Sequence, residues 1–125
     1  MANYLVTERY ETEFTNPIIL VTGEKVIIGE DPCPEKNPET WVNWEYCIKA
    51  DGSNAGFVPR QIIKIESGNG IILENYSAKE MNIEKGEIVE GIKELNGWLW
   101  SKNKRTNEIG WIPLENLQML KSEPK

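Results

Sequence analysis

Two stretches of this chain recur at a fixed distance, and that recurrence limits the fold more than any other feature. Trp44-Glu45-Tyr46 precedes Gly56-Phe57-Val58-Pro59, and Trp98-Leu99-Trp100 precedes Gly110-Trp111-Ile112-Pro113 at the same spacing. One offset therefore relates the two blocks at both ends, Trp44 to Trp98 and Gly56 to Gly110. Upstream, Glu8-Arg9-Tyr10 matches Glu74-Asn75-Tyr76. The run from Asn16 to Glu24 matches Lys79 to Glu87, and the offset from Gly23 to Gly86 is larger than that from Trp44 to Trp98. The first copy therefore carries extra residues between its glycine and its tryptophan. They fall within DPCPEKNPET, which holds three of the seven prolines and reads as a long loop over 30–40. A period of this size predicts two small units. The expected boundaries are residues 1–66 and 71–121, with Ser67 to Gly70 as a short linker.

The local pattern is strand. Val26-Ile27-Ile28 and Ile62-Ile63-Lys64-Ile65 are short, β-branched and bounded by turn formers. Asp51-Gly52 signals a hairpin, and Asn103 to Asn107 predicts the same turn in the second copy. No segment of ten or more residues carries apolar positions at helical spacing. The expected class is all-β, as two small barrels.

Charge and composition exclude several functions. A net charge of −6 disfavours nucleic acid and anionic membrane surfaces as partners. No apolar run is long enough for a membrane helix, and MANYLVTERYETEF does not read as a signal peptide, so a cytoplasmic location is expected. The two cysteines, Cys33 and Cys47, are expected as free thiols, Cys47 buried and inert. Without histidine, a phosphate-binding glycine loop or a nucleophile motif, neither an enzyme nor a metal or other cofactor is expected.

The second copy, LENYSA…EMNIEKGEIVEGIKELNGWLWSKN…GWIPLENLQML, resembles an SH3 domain of bacterial type. The family pattern runs ALYDY, then ELSFxxGD, then GWW, then Gly-x-[FIV]-Pro. The first copy is similar and more divergent. The resemblance implies five-stranded barrels in tandem and a shallow aromatic groove for extended, proline-rich peptides. Carried over residue by residue, Tyr76 takes the second tyrosine of ALYDY, Trp98 the first tryptophan of GWW and Pro113 the groove proline. Glu80 takes the acidic position facing a ligand arginine. In the first copy the matching residues are Tyr10, Trp44 and Pro59. The chain departs from the family at two aromatic positions. The first tyrosine of ALYDY is Glu74, or Glu8 in the first copy, and the tyrosine after the groove proline is Asn116, or Ile62. One proline pocket thus lacks its walls.

Strand alternation sends Trp98 and Trp100 to one face and Leu99 to the other. Trp100 and Trp111 are expected to pack within the protein. Trp98, entering its strand after Asn96-Gly97, is expected at a binding surface. The leading expectation is a non-catalytic protein that binds a protein or peptide ligand, basic or proline-containing, through Tyr76, Trp98, Pro113, Glu80 and Glu74, with a second site at Tyr10, Trp44 and Pro59. The sequence leaves two alternatives open. One is a structural or self-association role with the aromatic patches buried between domains or in a homodimer. The other is a module for cell-wall peptide.

Overall fold

A computed structural model describes residues 2–12, 16–30 and 43–120. Trp41, Cys33 and most of the 30–40 loop lie outside the described residues. The protein is all-β: twelve short strands and two 3-10 turns, with no α-helix among the described residues.

The chain forms two compact units, but they do not divide where the sequence suggests. One unit is continuous, Pro17–Ala78; the other combines Met1–Asn16 with Lys79–Lys125. We call them the inserted unit and the outer unit. The expected linker at 67–70 is a hairpin inside the inserted unit. Ser67 and Gly68 have φ of 48° and 80°, the two left-handed residues of a tight turn, and Glu66 pairs with Asn69 across it. A Ser-Gly pair serves a linker or such a turn equally well, and here the flanking strands decide.

The outer unit is one antiparallel sheet of five strands. β1 (Asn3–Val6) lies between β9 (Ile88–Leu95) and β12 (Leu117–Met119); β10 (Trp98–Asn103) and β11 (Ile109–Pro113) extend the β9 side. Asn96 and Gly97, φ 52° and 86°, close the β9–β10 hairpin. The register of β9 against β10 shifts by one residue, leaving Ile92 unpaired between Gly91 and Lys93. Such a bulge bends a strand, and β9 serves β1 with its first residues and β10 along most of its length. Alternation places Tyr4, Val6, Val89, Leu99 and Ile112 in one core with Met81 and Ile83. Each such buried aliphatic side chain contributes on the order of 1.5–3 kcal/mol.

The inserted unit has the corresponding sheet. β3 (Lys25–Ile28), β4 (Trp44–Lys49) and β5 (Ala55–Pro59) form a meander, and β7 (Asn69–Ile72) lies between β3 and β6 (Ile63–Glu66). A two-stranded ribbon of β2 (Ile19–Leu20) and β8 (Tyr76–Ser77) completes it. Three-residue 3-10 turns, Arg60–Ile62 and Leu114–Asn116, stand at matching places after β5 and β11.

Chain order and spatial order disagree in one respect. In sequence, β1 opens the first copy and β7 the second. In space, β1 pairs with β9 and β12, strands of the second copy, while β7 pairs with β3 and β6 of the first. The hydrogen bonds match: Val6 N–H donates to Glu87 O (2.9 Å) as Ile72 N–H donates to Glu24 O (2.9 Å). The two opening strands have been exchanged.

Candidate functional site

The exchange redistributes the expected site residues. Tyr10 follows β1 into the outer unit. Its backbone exchanges two hydrogen bonds with Ile83 (3.0 and 2.9 Å), which fixes the ring against Trp98 at 5.9 Å between centroids and 83° between planes. Edge-to-face packing of this kind suits the charge distribution of aromatic rings. The Tyr10 hydroxyl donates a hydrogen bond to Glu80 Oε1. Burial raises the pKa of this phenol well above its ordinary value, and the bond and charge of Glu80 raise it further.

Glu80 is placed by backbone. Trp111 N–H donates to Lys79 O (2.9 Å) and Met81 N–H donates to Trp111 O (3.1 Å), so residues 79–81 run along the edge of β11. Gly110 allows this approach: a Cβ there would lie 2.7 Å from Met81 Cβ. Pro113 sits directly across from Trp98 in the β10–β11 ladder and is buried. Trp98 itself is half-buried. Tyr10, Trp98, Pro113 and Glu80 thus form one patch.

Tyr76 and Glu74, expected beside Trp98, belong instead to the inserted unit. Tyr76 is buried, pairs with Leu20 in the β2–β8 ribbon and donates its hydroxyl to Phe57 O (3.3 Å). Trp44 lies opposite Pro59 in the β4–β5 ladder, as Trp98 lies opposite Pro113. Glu74 is exposed between β7 and β8. The expected sets are crossed in membership: each tyrosine serves the unit that holds the other copy's tryptophan. The physical reason is the exchange of β1 and β7, which carries Tyr10 and Tyr76 with it.

Asn116, at a usual tyrosine position, is committed to the fold. It is buried, and its amide donates to Glu8 O and Arg9 O, both at 3.3 Å. The chain leaving β1 is pinned there, since Thr7 N–H also donates to Asn116 O at 2.8 Å. The sequence did not disclose this tie, because both acceptors are backbone carbonyls.

The tryptophan alternation is as expected. Leu99, Ser101 and Asn103 point into the core, while Trp98 and Trp100 share the opposite face. Trp100 and Trp111 pack at 5.2 Å between centroids, and their counterparts in the first copy, Tyr46 and Phe57, pack at 5.3 Å. Sequence reasoning missed Glu87. Its carboxylate accepts bonds from Asn103 Nδ2 (2.9 Å), Glu84 N–H (3.2 Å) and Arg105 Nε (3.1 Å). The Asn103 bond, aided by Glu84 and Arg105, holds its pKa below the ordinary range. Glu24 does the same work in the inserted unit, accepting from Val21 N–H (3.1 Å) and pairing with Lys49 (3.5 Å). The recurring Gly-Glu dipeptide was the available signal.

Cys47 is fully buried, and desolvation, with the charge of Glu45 added, pushes its thiol up to about 12. Among the described residues no group of three or more His, Cys, Asp or Glu side chains is placed to hold a metal ion. No helix among them is long and apolar enough to cross a membrane. Comparison with protein-family models, curated proteins and solved structures finds no match to this chain.

Proposed function

We propose that this is a non-catalytic interaction protein made of two SH3-like units, which binds an extended peptide across the Tyr10–Trp98–Pro113 patch of the outer unit. The observation that carries this reading is the patch itself. A half-exposed tryptophan is held edge-on by a tyrosine and backed by a buried proline, so the aromatic surface is rigid before any ligand arrives. Rigid aromatic surface offers contact area at low entropic cost. The five-strand order and the 3-10 turn that follows the three-strand meander of each sheet support the SH3-like reading.

The ligand is an extended segment carrying a basic side chain. Glu8 and Glu115 are both exposed, next to the Asn116 tie, and Glu80 meets the patch at the Tyr10 hydroxyl. Carboxylates in such positions favour lysine or arginine through charge-assisted hydrogen bonds. The loss of one tyrosine-walled pocket to Asn116 shortens the footprint, so affinity is modest for one unit. The Trp44–Pro59 face, with Tyr76 in the same unit, supplies a second site that raises affinity only for ligands able to span both.

The test is a peptide array of basic and proline-containing sequences, probed with wild type and Trp98→Ala. Binders lost in the variant support the patch. If every binder persists with unchanged affinity, the patch is not the site.

A further inference from the structure

The exchanged pairing needs a cause, because β1 and β7 open two copies of similar sequence and each could enter either slot. The cause lies in the sizes of four residues. Tyr4 in β1 and Gly70 in β7 occupy matching positions, separated along the chain as Tyr10 is from Tyr76; Gly91 in β9 and Ile28 in β3 also match, separated as Gly86 is from Gly23. In the outer unit the large residue is on the opening strand and the small one on its neighbour. Tyr4 covers Gly91 so closely that a Cβ there would meet Tyr4 Cε1 at 2.8 Å and Leu99 Cδ1 at 3.2 Å. In the inserted unit the sizes are reversed. A Cβ on Gly70 would lie 2.7 Å from Ile63 Cγ2, 3.2 Å from Val26 Cγ2 and 3.3 Å from Ile28 Cδ1.

We infer that the slot between β9 and β12 is a strand-binding site whose occupant is this chain's own N-terminal strand, selected by the fit of Tyr4 over Gly91, and that Gly70 reserves the other slot for β7. The unexchanged pairing fails on both sides. β1 in the slot of β7 would put a tyrosine where even a methyl group has no room. β7 in the slot of β1 would set Gly70 against Gly91 and leave a hole the size of the ring. Overpacking and cavities are both costly in close-packed cores. Similar sequences can therefore sit in tandem without competing for each other's first strand.

The full chain tests this by cross-linking, in a Cys33→Ser background with peptide mapping of the disulfide. Gly91 N–H donates to Ala2 O (2.8 Å) and Val6 N–H to Glu87 O (2.9 Å), so Leu5 and Ile88, paired between them, form a non-hydrogen-bonded pair. Residues in such pairs lie closest, within disulfide reach. Leu5→Cys/Ile88→Cys is expected to oxidise to a bridge at monomer mass. Leu5→Cys/Lys25→Cys reports the unexchanged register, since Lys25 pairs with Ile71 as Ile88 pairs with Leu5, and no bridge is expected. A 5–25 bridge, or a 5–88 bridge found only between two chains, would overturn the assignment. The fit itself is tested in the 5–88 pair by Gly91→Val, expected to cut bridge yield at least several-fold, and by adding Tyr4→Ala, expected to restore it. Because the readout is the rescue, it holds even where Gly91→Val alone does not fold; a double variant that stays unbridged would refute the role of Tyr4.

Discussion

Gly110→Ala and Gly56→Ala change the same position in the two copies, and the structure sets their costs apart. At Gly110 the new methyl would meet Met81 Cβ at 2.7 Å, Met81 N at 3.0 Å and Glu80 C at 3.2 Å. These atoms are backbone or bonded to it, so relief requires moving residues 79–81 off the edge of β11. That strains the bonds Trp111 N–H to Lys79 O (2.9 Å) and Met81 N–H to Trp111 O (3.1 Å). Overpacking costs about 1–3 kcal/mol and each weakened backbone bond about 0.5–1.5 kcal/mol. Restricting the unfolded chain returns about 0.4–1 kcal/mol. The net expectation is a loss of about 2–4 kcal/mol. At Gly56 the methyl meets side chain only, Ile18 Cγ2 at 3.0 Å and Ile18 Cβ at 3.4 Å. A shift of a few tenths of an ångström relieves it, and the unfolded-state gain offsets it to within about 1 kcal/mol. Urea unfolding followed by tryptophan fluorescence reads both; with a slope of about 1.5–2 kcal/mol/M, Gly110→Ala lowers the midpoint by about 1–2.7 M. Equal midpoints, or a larger drop for Gly56→Ala, would refute the claim that residues 79–81 are held by close backbone contact.

Tyr10→Phe removes the hydroxyl bond to Glu80 and should cost about 1 kcal/mol in stability, with weaker peptide binding in the same array. Because the folded state raises the Tyr10 pKa, its contribution is complete below pH about 10 and is lost as pH rises beyond that; alkaline unfolding should move to higher pH in Tyr10→Phe, and an unchanged profile would count against the bond. Glu87 has a lowered pKa when folded, so its contribution is present above the ordinary carboxylate range and fades as pH falls through the folded value. Glu87→Gln should flatten acid destabilisation below pH about 4.5, measured by thermal melts across pH. In Cys33→Ser, Cys47 should resist a thiol reagent at pH 8 in the native protein and react in urea; rapid native labelling would contradict its burial.

Much of this molecule is visible in one dimension. Asn96-Gly97 and Asp51-Gly52 announce their turns through backbone chemistry alone, and the constant offset between the two blocks pairs Trp100 with Tyr46 and Trp111 with Phe57 before any coordinates. That Trp98 and Pro113 lie together was legible too, because they are neighbours through one hairpin. Which tyrosine joins them was not. Both β1 and β7 read as short strands, so local pattern does not choose between their slots. The decision rests on the sizes of Tyr4, Gly91, Gly70 and Ile28, contacts between residues distant along the chain. Asn116 was legible as a departure but not as a tie, since its partners are backbone carbonyls that sequence does not name.

The exchange also orders events during synthesis. The inserted unit is complete once Ala78 is free, whereas β1, made before any of it, must wait for β9 and for β12, which ends at Met119. At about 5–20 residues per second that wait lasts roughly 2–8 s, longer than small β domains commonly take to fold. Throughout it a free strand hangs beside a finished sheet of its own kind. Ile63, Val26 and Ile28, by leaving no room for Tyr4 at the position Gly70 takes, keep the nascent chain from trapping itself.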